Sequence, residues 1–509
     1  MSASRPGSST DRDRRTVVLD SARAAIGPRL GIDRRALGAF RIALGLVLLV
    51  DLLVLRVPGL VTFYTDDGVF PRSTLAEAYP TIAPGSIHAV SGSAWFQGIL
   101  FAIAGAFAVL LLVGYRTRVA TLCSFVLLAS LHARNPHVIN GGDTILLSFL
   151  LFGLFLPLSA RWSLDARRRS VRRRPARYDA ERGNRVLSVA TAVILLNVVL
   201  VYVTNGLFKT ESELWMNGGA VRHIFHLEQY LVLLGPSLAE YPTLLTAANW
   251  FWVVLLGVSP LLVVLTGRHC LALVAAFVAA HLGMAATMRL GAFPFVMVAG
   301  LILFLPPHVW DRLERTVSDL DLERVSKPIG DDGAGSERTT SAGTSALVTP
   351  RTRRGARVIG SGVVACAFVS ILVWQAVGIG LVDTPSGLDS EVEDASWAFF
   401  APNPPTAHSW YAVEAERESG ETIDGLGGGE ARLDRPPDAA ETYPSTLWKR
   451  YGMSVRYADE TQYEPVAAYL CERLDGDVER LTVYLVEQPV SPDGPVGEPT
   501  AHERIEYDC

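Results

Sequence analysis

The chain has 509 residues, half of them hydrophobic, and a mean hydropathy of +0.28, values that describe an integral membrane protein rather than a soluble one. A formal charge of −5 and a pI near 6.1 argue against a nucleic-acid partner. Five cysteines are too few for a disulfide scaffold, and the N-terminus lacks the early apolar core of a cleavable signal.

Residues 1–35 are rich in Arg, Ser and Asp and read as a polar cytoplasmic segment. From Ala36 onward the apolar residues fall in blocks near bilayer-spanning length, which predicts about nine transmembrane helices. The first, about Ala36 to Val57, carries Arg41 and Asp51 within it; Arg41 is near enough to one end to snorkel, and Arg56 is placed to neutralise Asp51. A loop containing FYTDDGVFPR and His88 leads to spans two and three, about Trp95 to Val113 and Val119 to Ala133. Span four, about Thr144 to Leu158, is short, as is span three. The connection RNPHVINGGD is therefore expected to dip to membrane depth, where only protein or a watered cavity tolerates irregular backbone. That makes Arg134, Asn135, His137, Asn140 and Asp143 candidate cavity lining; a plain Pro/Gly surface turn is the competing reading.

Seven arginines between 167 and 177 follow directly after a span and read as a cytoplasmic retention signal. The fifth span ends in YVTNGLFKTESELW, so that Lys209 sits where a helix leaves the bilayer. An amine denied hydration turns from an inert cation into a base, although helix-end lysines commonly just snorkel. Beyond it, His223 and His226 share a helical face as a metal site would require, but no third ligand accompanies them. Spans six to eight are expected at about Asn249 to Leu265, Leu271 to Ala286 and Ala292 to Leu305, with His281 inside the seventh as a candidate pocket residue.

Residues 311–356 read as a cytoplasmic flexible linker and 357–381 as the last span. Placing the N-terminus in the cytoplasm puts the arginine-rich loops inside, and an odd number of spans sends the C-terminus out. Residues 382–509 then form an extracytoplasmic soluble domain of α+β, β-rich character. It has alternating strands at Trp410 to Glu418 and Leu481 to Glu487, a helix at Tyr463 to Leu474 with Pro465 in its first turn, and Cys471 and Cys509 able to pair in an oxidising space. The fold class expected is an all-α polytopic membrane bundle, multi-pass in the cell membrane among its lipids, carrying that domain.

Six stretches in order resemble one family: FRIALGLVLLVDLLVLR, FYTDDGVFPR, the run from Arg134 to Asp165, NGLFKTESELWMNGGAV, HLGMAATMRLGAFPFVM and SWAFFAPNPP. Their order and spacing look like the HTTM family, the membrane region shared with vitamin K-dependent γ-glutamyl carboxylase, over about residues 33–310 and more loosely 383–475. The resemblance implies an HTTM transmembrane domain at 36–310 and a reaction. A lysine deprotonates a reduced quinone of the vitamin K or menaquinone hydroquinone type. Dioxygen then generates a strong base, and carbon dioxide adds to glutamates of a secreted or membrane protein substrate. Lys209 falls at the family's catalytic lysine, ahead of Trp215, and Arg134, Asn140, Asp143, Trp215 and His281 become candidate substrate-binding residues. Where the family's supporting Asn-His pair is expected, Asn140 is followed by Gly141. A non-catalytic membrane protein that binds or moves a quinone or lipid is the competing reading of the same fold.

Overall fold

The computed structural model describes residues 26–172, 184–319, 350–382, 397 and 399–509, apart from scattered positions between 427 and 441 and residue 475. The polar segment 1–25, the second half of the arginine run and most of the linker expected at 311–356 lie outside the described residues.

The chain is mostly helical with a C-terminal sheet, and a helix lies at each of the nine positions predicted to span. Five helices among the described residues are long and apolar enough to cross a membrane, or up to six if one bent pair is a single span. They are α1 (Arg34–Val50, continued to Arg56), α2 (Ala94–Val113), α5 (Val189–Thr210), α7 (Gly267–Thr287) and the apolar part of α10 (Pro350–Gly378). The others are shorter or more polar: α3 (Thr117–Arg134), α4 (Gly141–Gly153), α6 (Pro242–Gly257) and α8 (Phe293–Leu301), the last bent by 100° against α9 (Pro307–Asp319). The ends of the predicted 311–356 segment are thus helical, in α9 and α10.

Polar residues inside the bundle explain its joints. Asp33 caps α1 and, with Asp311 and Glu314 of α9, holds the Arg35 guanidinium. The two-residue strands β1 (Ile32–Asp33) and β2 (Arg185–Val186) pair beside this clamp. Arg41 does not snorkel. It is fully buried and donates to the carbonyls of Leu111, Leu112 and Trp162, satisfying carbonyls that the end of α2 leaves open. Gly114, with φ of +69°, ends α2 there, and a Cβ on it would lie 2.7 Å from Arg41 Nη1. The end of α1 widens into a π-helical segment, Asp51–Arg56, and that five-residue spacing brings Arg56 Nε to 3.0 Å from Asp51 Oδ2.

The C-terminal domain is an antiparallel sheet in the order β4-β3-β5-β7, formed by β3 (Ala407–Arg417), β4 (Thr422–Asp424), β5 (Val478–Ser491) and β7 (Thr500–Asp508). The short β6 (Gly494–Pro495) turns back on the end of β5. Helices α11 (Thr446–Val455) and α12 (Glu460–Cys471) pack on it. The second of these starts three residues earlier than the sequence reading, which leaves Pro465 beyond its first turn. Cys471 and Cys509 are joined as a disulfide, with Cα atoms 5.6 Å apart. One apolar core joins this domain to the bundle. It unites Phe63, Tyr64, Val69 and Phe70 of the loop between α1 and α2 with Leu447, Tyr451 and Val455 of α11.

Candidate active site

The connection between α3 and α4 is enclosed by protein: Arg134, Asn135, His137 and Asp143 are all buried. They do not share a task. Arg134 donates to the carbonyls of Thr65 and Phe70 and so fastens the loop between α1 and α2. Asn140 and Asp143 form a capping box on α4, in which the Asn140 side chain accepts from Asp143 N–H and the Asp143 carboxylate accepts from Asn140 N–H. Asp143 also pairs with Arg56 at 2.7 Å and with Arg450 of α11 at 2.9 Å. With Asp51 the group holds two carboxylates and two guanidiniums, a balanced buried cluster that ties three distant segments together.

Beside it lies a cavity of about 710 Å³, walled by α5, α6, α7, the start of α8, α11 and the segment Phe399–Pro405. Most of the lining is apolar. Lys209, Trp215 and Asn140 line it, whereas Arg134, Asp143 and His281 are not among its walls. His281 stands behind Tyr202, which does face the cavity, and their side chains share a hydrogen bond of 2.9 Å. His223 is bound to the Pro405 carbonyl, and among the described residues no group of His, Cys, Asp and Glu could hold a metal.

Lys209 is 2% exposed. Its amine donates to the Phe399 carbonyl at 2.6 Å and lies 4.2 Å from the centre of the Trp215 ring. No carboxylate pairs with it among the described residues. The partner segment is itself anchored: Asn205 donates to the Trp397 carbonyl, Trp215 Nε1 to that of Phe400, and Ser212 to Asn403. Residues one turn before and several after Lys209 thus hold the strand that receives its hydrogen bond. Gly141 has a role in this arrangement, because a Cβ there would lie 2.2 Å from the Phe399 ring.

The wall carries a second amine that the sequence reading missed. Lys449 of α11 donates to the Arg289 carbonyl at 2.6 Å and lies 4.4 Å from the centre of the Tyr230 ring. It repeats the surroundings of Lys209, one carbonyl and one aromatic face. Burial, reinforced by the Arg450 and Arg289 guanidiniums, holds this amine well below the ordinary lysine range. His137, also in the wall, bonds Ser454 through Nδ1, and burial lowers it to about 4. In the sequence Lys449 stands within TLWKRYG, a polar-looking stretch of a soluble domain.

With this geometry in place, the match to known proteins is informative. Residues 31–310, more than half of the chain, match the family model for the HTTM domain, and the chain belongs to that family. No curated protein and no solved structure matches it. The matched region ends in the first turn of α9, so Lys209 and Trp215 lie within it, and Phe399, Phe400 and Lys449 lie outside it.

Proposed function

We propose that this is a membrane enzyme of the vitamin K-dependent γ-carboxylase type. It would use a reduced quinone, dioxygen and carbon dioxide to carboxylate peptide glutamates, with Lys209 as the base. The observation that carries the reading is a buried amine, without a counter-ion among the described residues, facing a mostly apolar cavity of about 710 Å³. That volume lies within the usual range for small-ligand sites. Phe293, Phe399 and Phe400 offer ring surfaces to a planar head group, and Leu244 and Phe251, which are half exposed, give an apolar chain a way out toward lipid. When bound, a reduced quinone supplies the electrons and the acidic hydroxyl for chemistry with dioxygen.

The chain's own residues do the rest. Lys209 accepts a proton at Nζ while its bond to the Phe399 carbonyl fixes the amine in place. Asn205, Ser212 and Trp215 hold the covering segment, which keeps bulk water from a base that water would quench. The topology proposed is nine spans with the N-terminus in the cytoplasm and the C-terminal domain outside. The distribution of arginines and the Cys471–Cys509 disulfide support it.

The test is epoxide formation by purified protein supplied with a series of hydroquinones. We expect product from the unmodified chain and a loss of roughly 100-fold or more for Lys209→Ala. A second reading, a carrier or binder of quinone or lipid, is favoured by Gly141: the Phe399 ring lies against the position where the family pattern has a histidine. Absence of epoxide with every hydroquinone, together with a quinone found by mass spectrometry in the purified protein, would select that reading.

A further inference from the structure

The lining of the cavity is unbalanced in charge. Lys209, Arg289, Lys449 and Arg450 contribute to its wall, and among the described residues no Asp or Glu does. Asp143 offsets Arg450 from behind, yet Arg450 Nη2 is buried with no hydrogen-bond partner among the described residues. Lys449 is 5% exposed and its amine has a carbonyl and a ring face as neighbours, with no paired carboxylate among the described residues. Buried cationic groups are ordinarily paired, so a cavity built this way lacks an anion.

We infer that the Lys449 end of the cavity is a subsite for the side-chain carboxylate of an acidic peptide, with Lys449 as its anchor and Arg450 Nη2 as a second donor. The inference deepens the reading given above and rests on it for the nature of the acceptor. A single ammonium and one guanidinium edge can hold a carboxylate through charge-assisted hydrogen bonds, and the lipid competition below separates it from a phosphate head group. The anion supplies the counter-charge that burial withholds, so that ammonium and carboxylate are stabilised together. The arrangement also divides the cavity between the two domains. The HTTM bundle contributes Lys209, and the C-terminal domain contributes the group that selects the acceptor.

The experiment measures binding to the full-length protein in nanodiscs of neutral lipid, without any quinone. The probes are two end-capped peptides identical except for one Glu or Gln. The glutamate peptide is expected to bind at least tenfold more tightly. Lys449→Met should erase that preference, and Lys449→Arg should keep most of it. Equal binding of the two peptides by the unmodified protein overturns the subsite, and that comparison requires no variant. A preference that survives Lys449→Met, or that disappears when anionic lipid is added as competitor at low mole fraction, also overturns it, the latter by assigning the site to a lipid head group. Glutamate preference in a protein that forms no epoxide would retain the subsite while removing the carboxylase reading.

Discussion

Two groups of buried charge lie side by side in this molecule and are built on opposite rules. In the cluster of Asp51, Arg56, Asp143 and Arg450 each charge meets an opposite one, and Tyr64 and the Val138 carbonyl take further donors. Around the cavity, Lys209 and Lys449 are also buried but have a carbonyl and a ring face beside them and, among the described residues, no paired carboxylate. Charges that balance hold segments together; charges left unbalanced in a cavity are available to whatever enters it. The same α11 helix serves both, since Arg450 completes the balanced cluster and its neighbour Lys449 faces the cavity.

The sharpest way to separate the two groups is to remove one charge from each. Asp143→Asn removes the carboxylate partner of Arg450 and one of the two that meet Arg56, and should cost about 3–5 kcal/mol, read as a fall in the denaturation midpoint of the detergent-solubilised protein. Little change in that midpoint would mean that the cluster does not hold the domains together. The next effect is on acid stability. Burial lowers His137 to about 4 from an ordinary 6.5, so below pH 6.5 the unfolded chain binds a proton that the folded one refuses. Stability from this group is fully present above pH 6.5 and is lost as pH falls toward 4, by about 3 kcal/mol at most. His137→Phe should blunt that loss, since the ring already packs edge-on against Phe70 and Tyr451. An unchanged acid profile in the variant would assign the sensitivity elsewhere.

How far the sequence could be read follows from the range of each interaction. Apolar blocks report their own burial, so the helices and the family were legible from composition and order. Lys209 was legible because it interrupts such a block at its end, and Trp215 followed from the shared pattern. Arg56 neutralising Asp51 was also within reach, being a neighbour along the chain. What escaped depends on contacts across hundreds of residues. Nothing near Asp143 announces Arg450, and nothing near Arg41 announces the end of α2, so a snorkelling arginine and a buried cap look alike in sequence. The position of Arg134 in a polar turn suggests cavity lining, yet its two terminal nitrogens donate to Thr65 and Phe70. Lys449 gave no signal at all, because a lysine in a polar helix of a soluble domain is ordinarily solvated.

The smallest effect separates the unpaired amine from its paired neighbour by sign. Removing a buried, unbalanced amine should stabilise where removing a balanced carboxylate destabilises, so Lys449→Met is expected to raise the midpoint modestly, by about 1 kcal/mol at neutral pH. The pH dependence supplies the control. In the folded chain the Lys449 amine loses its proton well below the ordinary value of 10.5, while the unfolded chain keeps it up to that value. Between those limits the unfolded state binds more protons, so stability rises with pH in the unmodified protein and the penalty disappears as pH approaches 10.5. The advantage of Lys449→Met should therefore be largest near neutrality and shrink as pH rises. Stability curves of the two proteins that stay parallel from pH 7 to pH 10 would show that the amine carries its proton in the folded state. The cavity would then hold a fixed cation even before an anion enters.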